Sequence, residues 1–143
     1  MKLRFIYILA LLFFIQTEVK AQCGGDDFMD FCAEVLGDFN FIKANKINLS
    51  NADTNKDTPT VQYAQVLSTN NTYCITACYS GSGNMILELY DRDHKLIMSN
   101  YDKVKKKYYP VINYICSATG VYYFVYSFSG VESACGISMI GVK

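Results

Sequence analysis

Val111-Ile112-Asn113-Tyr114-Ile115-Cys116-Ser117-Ala118-Thr119-Gly120-Val121-Tyr122-Tyr123-Phe124-Val125-Tyr126-Ser127-Phe128 decides the fold class. Two short runs of β-branched and aromatic residues, the types that pack well on a pleated surface, flank a Ser-Ala-Thr-Gly turn. Each run is strand length and too short for an independent helix. Both are almost apolar on both faces, which places both at central positions in their sheets.

Working outward, the same period of two recurs. It runs through Phe39-Asn40-Phe41-Ile42 to Ile47 and Leu49, then through residues 61–67, 73–79, 85–90, 95–98, 111–116, 121–128 and 134–140. Turn residues separate them: Ser68 to Asn71, Ser80 to Asn84, Asp91-Arg92-Asp93, Ser117 to Gly120 and Ser129-Gly130. About eight short strands with a turn every ten or so residues predict an all-β chain, an antiparallel β-sandwich of jelly-roll type. One helix precedes them, over residues 26–36. Phe28, Phe31, Cys32, Val35 and Leu36 fall on one face, Asp26, Asp27 and Asp30 suit the positive end of the helix dipole, and Gly37 suits its stop. The apolar face is expected to pack into the core.

The first 21 residues have the form of a secretory signal peptide. Lys2 and Arg4 lead into an apolar run from Phe5 to Ile15, and Val19-Lys20-Ala21 offers a cleavage site. The run is shorter than the roughly 20 residues a bilayer core requires. Lys20-Ala21-Gln22 lacks the aliphatic-then-small pattern that precedes a lipidated cysteine, so no lipid anchor at Cys23 is expected and the mature chain should be soluble. Residues 22–143 then form a single domain, secreted, periplasmic or at the cell surface. Without Lys2, Arg4, Lys20 and Glu18 it carries ten basic and twelve acidic side chains, a net of −2. That balance gives no electrostatic reason to bind nucleic acid. Lys103, Lys105, Lys106 and Lys107 read as a solvated loop.

All six cysteines, Cys23, Cys32, Cys74, Cys78, Cys116 and Cys135, follow the cleavage site, and an even number in an exported chain reads as three disulfides. Fifteen pairings remain open. Cys74 and Cys78 should not bond to each other, because four residues of extended strand separate them by about 13 Å, beyond the roughly 7 Å that a disulfide bridges.

From Val61 onward an ordered series emerges: Tyr63-x-x-x-Leu67, Tyr73-x-Ile75, Leu87-x-Leu89-Tyr90-Asp91, and Ile112-x-Tyr114 leading to Gly120-x-Tyr122-Tyr123. Over residues 61–142 this resembles the bacterial pre-peptidase C-terminal domains and related jelly-roll sandwiches. The resemblance implies a sandwich that accompanies secreted hydrolases, some members binding calcium or a polymer.

Chemistry is sparse. There is no G-x-S-x-G, no H-E-x-x-H and no phosphate-cradling glycine loop. His94, the single histidine, follows Asp91-Arg92-Asp93 in what reads as a polar turn. Glu88 lies mid-strand without a marked carboxylate partner for glycoside hydrolysis. Asp53, Asn55 and Asp57 match the first three ligands of a calcium loop, but Thr58 and Ala64 stand where the EF-hand version has glycine and glutamate. A looser calcium site is the one cofactor considered. Tyr108, Tyr109, Tyr122, Tyr123 and Tyr126 are candidates for stacking on sugar. The expectation is a non-catalytic binding or accessory module for a glycan or an envelope or secreted protein. The alternatives are a carbohydrate-processing enzyme using Glu88 and a purely structural envelope protein.

Overall fold

The computed structural model describes residues 29–48, 58–80, 83–129 and 134–143. The expected signal peptide over residues 1–21, Cys23, the start of the expected helix and the Asp53, Asn55 and Asp57 loop lie outside these residues.

Two antiparallel sheets form a sandwich. One joins β1 (Asn40–Asn48), β11 (Cys135–Val142), β3 (Thr72–Thr76) and β9 (Val111–Ile115) in that order, with β4 (Cys78–Ser80) also on β11. β3 and β4 are two halves of one strand broken at Ala77, whose N–H donates instead to the Pro110 carbonyl at 2.8 Å. The other sheet runs β2 (Thr60–Leu67), β10 (Gly120–Ser129), β5 (Asn84–Tyr90), β6 (Leu96–Ser99). A small hairpin of β7 (Tyr101–Asp102) and β8 (Lys107–Tyr108) stands apart. With β3 and β4 counted as one strand and the hairpin set aside, the order nests: first beside last, second beside next-to-last, and so inward. That nesting is what a jelly roll requires.

The strand phases place Leu67, Ile75, Leu87, Leu89, Phe124, Tyr126 and Ile140 between the sheets, all fully buried. α1 (Met29–Leu36) covers the outside of the first sheet, where Cys32 and Leu36 pack with Cys74, Cys78, Ile137 and Met139. Gly141 is needed there: a Cβ would lie 2.8 Å from Phe39 Cβ and 2.9 Å from Leu36 Cδ1. Gly37 ends the helix in the left-handed conformation (φ 61°), its N–H returning to the Ala33 carbonyl at 3.2 Å. The outside of the second sheet has no such cover among the described residues; we call it the open sheet.

Three expectations are corrected. Cys32 bonds Cys78, Cys135 is also disulfide-bonded, and Cys74 and Cys116 are buried free thiols. Cys74 faces the helix and Cys116 faces the sandwich interior, so the sheet separates them and a third bridge cannot form. Burial pushes the Cys74 thiol pKa up, partly offset by Lys143. β9 is an edge strand rather than a central one. Its Ile115 is 73% exposed because α1 packs over β11 and β3 and stops short of it. Phe31, placed on the core face by spacing, is 56% exposed. The lysine loop is exposed, in keeping with its reading as solvated, and forms the tip of the β7–β8 hairpin: Asp102 Oδ1 accepts from the N–H groups of Val104 and Lys105, and Lys106 takes φ 51°.

The Cys32–Cys78 bond puts the folded chain in an oxidising setting, secreted or periplasmic. Among the described residues no helix is long and apolar enough to cross a membrane.

Candidate functional site

At one end of the sandwich the turn between β5 and β6 faces the loop between β9 and β10 across a cleft of about 470 Å³. Asp91 builds the turn. Its Oδ1 accepts from the N–H groups of Asp93 and Lys95, both at 2.9 Å, and its own N–H donates to the Lys95 carbonyl at 3.0 Å. This leaves Arg92 and Asp93 projecting, their side chains 80% and 77% exposed and 3.6 Å apart. An exposed pair of this kind contributes little to stability, so Arg92 is available to a partner.

The facing loop is stapled to residues 68–71. Thr69 N–H donates to Thr119 Oγ1 (2.9 Å) and Asn70 N–H to the Cys116 carbonyl (3.0 Å), while Cys116 N–H donates to the Asn71 carbonyl (2.9 Å). Beneath it, Tyr122 OH donates to the Ala118 carbonyl (2.7 Å) and accepts from Tyr114 OH (3.3 Å). The result is a rigid cleft with a tyrosine floor, an Arg-Asp wall and Val121 on the rim.

The five tyrosines of the sequence reading scatter. Tyr126 is fully buried, its OH donating to Ser138 Oγ at 2.8 Å, and Tyr122 is 5% exposed. Both are core residues, and their candidacy for sugar stacking is withdrawn. Tyr123 is half-buried on the open sheet, stacked on His94 with ring centres 4.4 Å apart. Tyr108 and Tyr109 line a third place, an aromatic hollow of about 360 Å³ with Phe31, Tyr79 and Met85. Tyr108 stacks on Tyr101 there at 4.4 Å.

Glu88 is half-buried on the open sheet, and its Oε2 accepts from Tyr90 OH at 2.8 Å. Asp91, Asp93 and Glu88 do not converge. Among the described residues Glu88 is the one carboxylate lining the groove it borders, so these residues do not assemble the two-carboxylate arrangement of glycoside hydrolysis there. Among the described residues no three His, Cys, Asp or Glu side chains gather to hold a metal ion. Sequence reasoning missed Gln62, which pairing with β10 brings opposite Val125, and Phe31 as a surface group. Ser127 and Ser129, the two serines of β10, mark the outward phase of that strand. They would have assigned Tyr122 and Tyr126 inward and Tyr123 and Val125 outward.

Burial, then the hydrogen bond to Glu88, then its charge, push the Tyr90 pKa up to about 12. Burial raises those of Tyr122 and Tyr126 as well. A raised folded-state value favours the neutral phenol, so its contribution is complete below pH 10 and is lost as pH rises towards 12. The thermal midpoint should therefore fall through that window, and less steeply in Tyr90→Phe. A flat alkaline profile in the parent protein would contradict the buried phenols.

No family model and no curated protein matches the chain. Among solved structures, Aeromonas hydrophila PliG, a periplasmic lysozyme inhibitor of g-type lysozyme, aligns with a TM-score of 0.50 at 11% identity, over 74% of this chain and 89% of that one. What the two share is a fold.

Proposed function

We propose that this chain is an exported, non-catalytic binding protein that recognises another secreted protein through the end cleft. The observation that carries the reading is the pre-stapled pair of loops presenting Arg92 beside Val121 and a tyrosine floor. Loops already held in their bound form lose little conformational entropy on association. Arginine is also among the side chains that anchor interfaces most often. The fold likeness to a lysozyme inhibitor makes secreted lysozymes the first partners to test and inhibition the first activity. The resemblance of residues 61–142 to pre-peptidase C-terminal domains adds an accessory role beside a secreted hydrolase.

The experiment is a lysis assay with a panel of lysozymes that includes a g-type enzyme, paired with direct binding measurements. The chain is expected to slow lysis by one of them. Arg92→Glu should weaken binding by roughly 30-fold, as loss of an interface anchor worth about 2 kcal/mol does. Lysis unaffected by excess chain across the panel removes the inhibitor reading, and inhibition that survives Arg92→Glu removes the cleft.

A further inference from the structure

Strand register arranges the outer face of the open sheet in rows. Val125 of β10 lies opposite Gln62 of β2 on one side and Glu88 of β5 on the other. The adjoining row sets Tyr123 between Ala64 and Tyr90. Neighbouring strands are about 4.8 Å apart, so Gln62 and Glu88 flank Val125 with roughly 10 Å between their backbones. The groove so formed has a volume of about 400 Å³, and Thr58, Thr60, Tyr90 and His94 complete its lining among the described residues.

Two features separate this groove from an ordinary wet sheet face. Glu88 and Tyr90 hold each other at 2.8 Å, and no lysine or arginine lies within ion-pair distance of Glu88 among the described residues. His94 is held in the left-handed conformation (φ 57°), its ring on Tyr123 and its edge at the groove. Non-glycine residues take that conformation uncommonly, and such outliers concentrate at binding and catalytic sites.

The lining selects the ligand class. A bare cation would use the carboxylate alone. An added peptide strand would pair along a sheet edge, beside β2 or β6, whereas the groove lies on the face of the sheet over β10, which is paired on both sides. A lipid would meet too many polar groups. An apolar floor one side chain wide, flanked by an amide, a phenol, a carboxylate and an imidazole, offers donors and acceptors on both sides of a flat strip. That is the complement of a pyranose ring, whose axial C–H bonds form an apolar face and whose hydroxyls point outward. We infer that this groove binds a neutral sugar unit of an extracellular glycan, Val125 beneath the ring and Glu88 and Gln62 taking hydroxyls at its two sides. The sugar is held rather than cleaved: among the described residues Glu88 is the groove's one carboxylate, and hydrolysis uses two. The site is separate from the end cleft, so either assignment can fail alone.

The test follows backbone amide shifts of the full mature chain during titration with three probes: cellohexaose, chitohexaose and cadaverine. At least one hexasaccharide is expected to move the amides of Gln62, Glu88, Tyr90 and Val125 with a dissociation constant of about 1 mM or tighter. Glu88→Gln and Gln62→Ala should each weaken it roughly tenfold, while Arg92→Glu leaves it unchanged. Both hexasaccharides silent at about 10 mM, shifts confined to Tyr108 and Tyr109, or a salt-sensitive response to cadaverine alone would each overturn the assignment.

Discussion

Replacing Cys32 and Cys78 together by alanine should lower the unfolding free energy by about 2–5 kcal/mol. The bond joins residues 46 apart in sequence, and the loop-entropy relation for a closed segment of that length gives about 4 kcal/mol. The structural consequence is local as well. α1 has eight residues, too few to persist by itself in water, and only Cys32 and Leu36 bury fully or nearly so against the sheet. Without the bond the helix should fray from β11 and β3, opening Ile137, Met139 and Cys74 to solvent and removing Phe31 from the aromatic hollow. Denaturant titration with and without reductant checks the energy. The parent protein should lose more stability on reduction than the double variant, which keeps only the bond made by Cys135. Hydrogen exchange checks the locality, with protection lost over Met29–Leu36 while β10 keeps its own. A parent protein indifferent to reductant would show that the helix is held by packing alone.

That bond also marks what the sequence could and could not carry. Alternation is a local property, and the eight principal strands fall within two or three residues of where alternation puts them. The hairpin of β7 and β8 escaped because two-residue strands have no period to detect, and because the run of lysines between them resembles any solvated loop. Pairing of cysteines depends on which face of which sheet a helix covers. Cys74 and Cys78 point the same way, yet a single helical cysteine can reach one of them, and spacing does not say which. The open-sheet groove was half legible. Glu88 and His94 stand out as titratable groups near a turn, but Gln62, Glu88 and Val125 meet only through the order β2, β10, β5. The end cleft was legible as chemistry rather than as a site. The Asp91 turn and the Gly120 turn could each be read from the sequence, whereas the nesting that sets them face to face is a property of the whole chain.

The second large effect is expected at Asn100, which the strand pattern passes over. It is 2% exposed, and both of its amide atoms are spent. Oδ1 accepts from Leu87 N–H at 2.8 Å, while Nδ2 donates to the carbonyls of Met85 at 3.1 Å and Tyr109 at 3.0 Å. Its backbone continues the pattern, donating to the Leu87 carbonyl at 3.0 Å and accepting from Tyr109 N–H at 2.9 Å. One side chain thus joins β5 of the open sheet to the segment after the β7–β8 hairpin, and thereby fixes the hollow lined by Tyr108 and Tyr109. Asn100→Ala strands one donor and two acceptors in the interior. At about 1–3 kcal/mol for each unsatisfied group, with partial relief by water, the loss should be about 4 kcal/mol. Asn100→Asp is the sharper variant because it keeps the size and changes the chemistry. An ionised carboxylate can still accept from Leu87 N–H but faces two carbonyl oxygens with no hydrogen to offer, and burial opposes its charge. The introduced group should therefore have a raised pKa in the folded state. Its stability contribution is present at pH 4, where the acid is neutral and can donate to one carbonyl, and is lost as pH rises through that raised value. The Asp variant is expected to gain on acidification relative to the parent, which has asparagine there and no proton to exchange. Equal pH profiles for the two proteins would mean that position 100 is wet, and that the hollow beside it is not held by this amide.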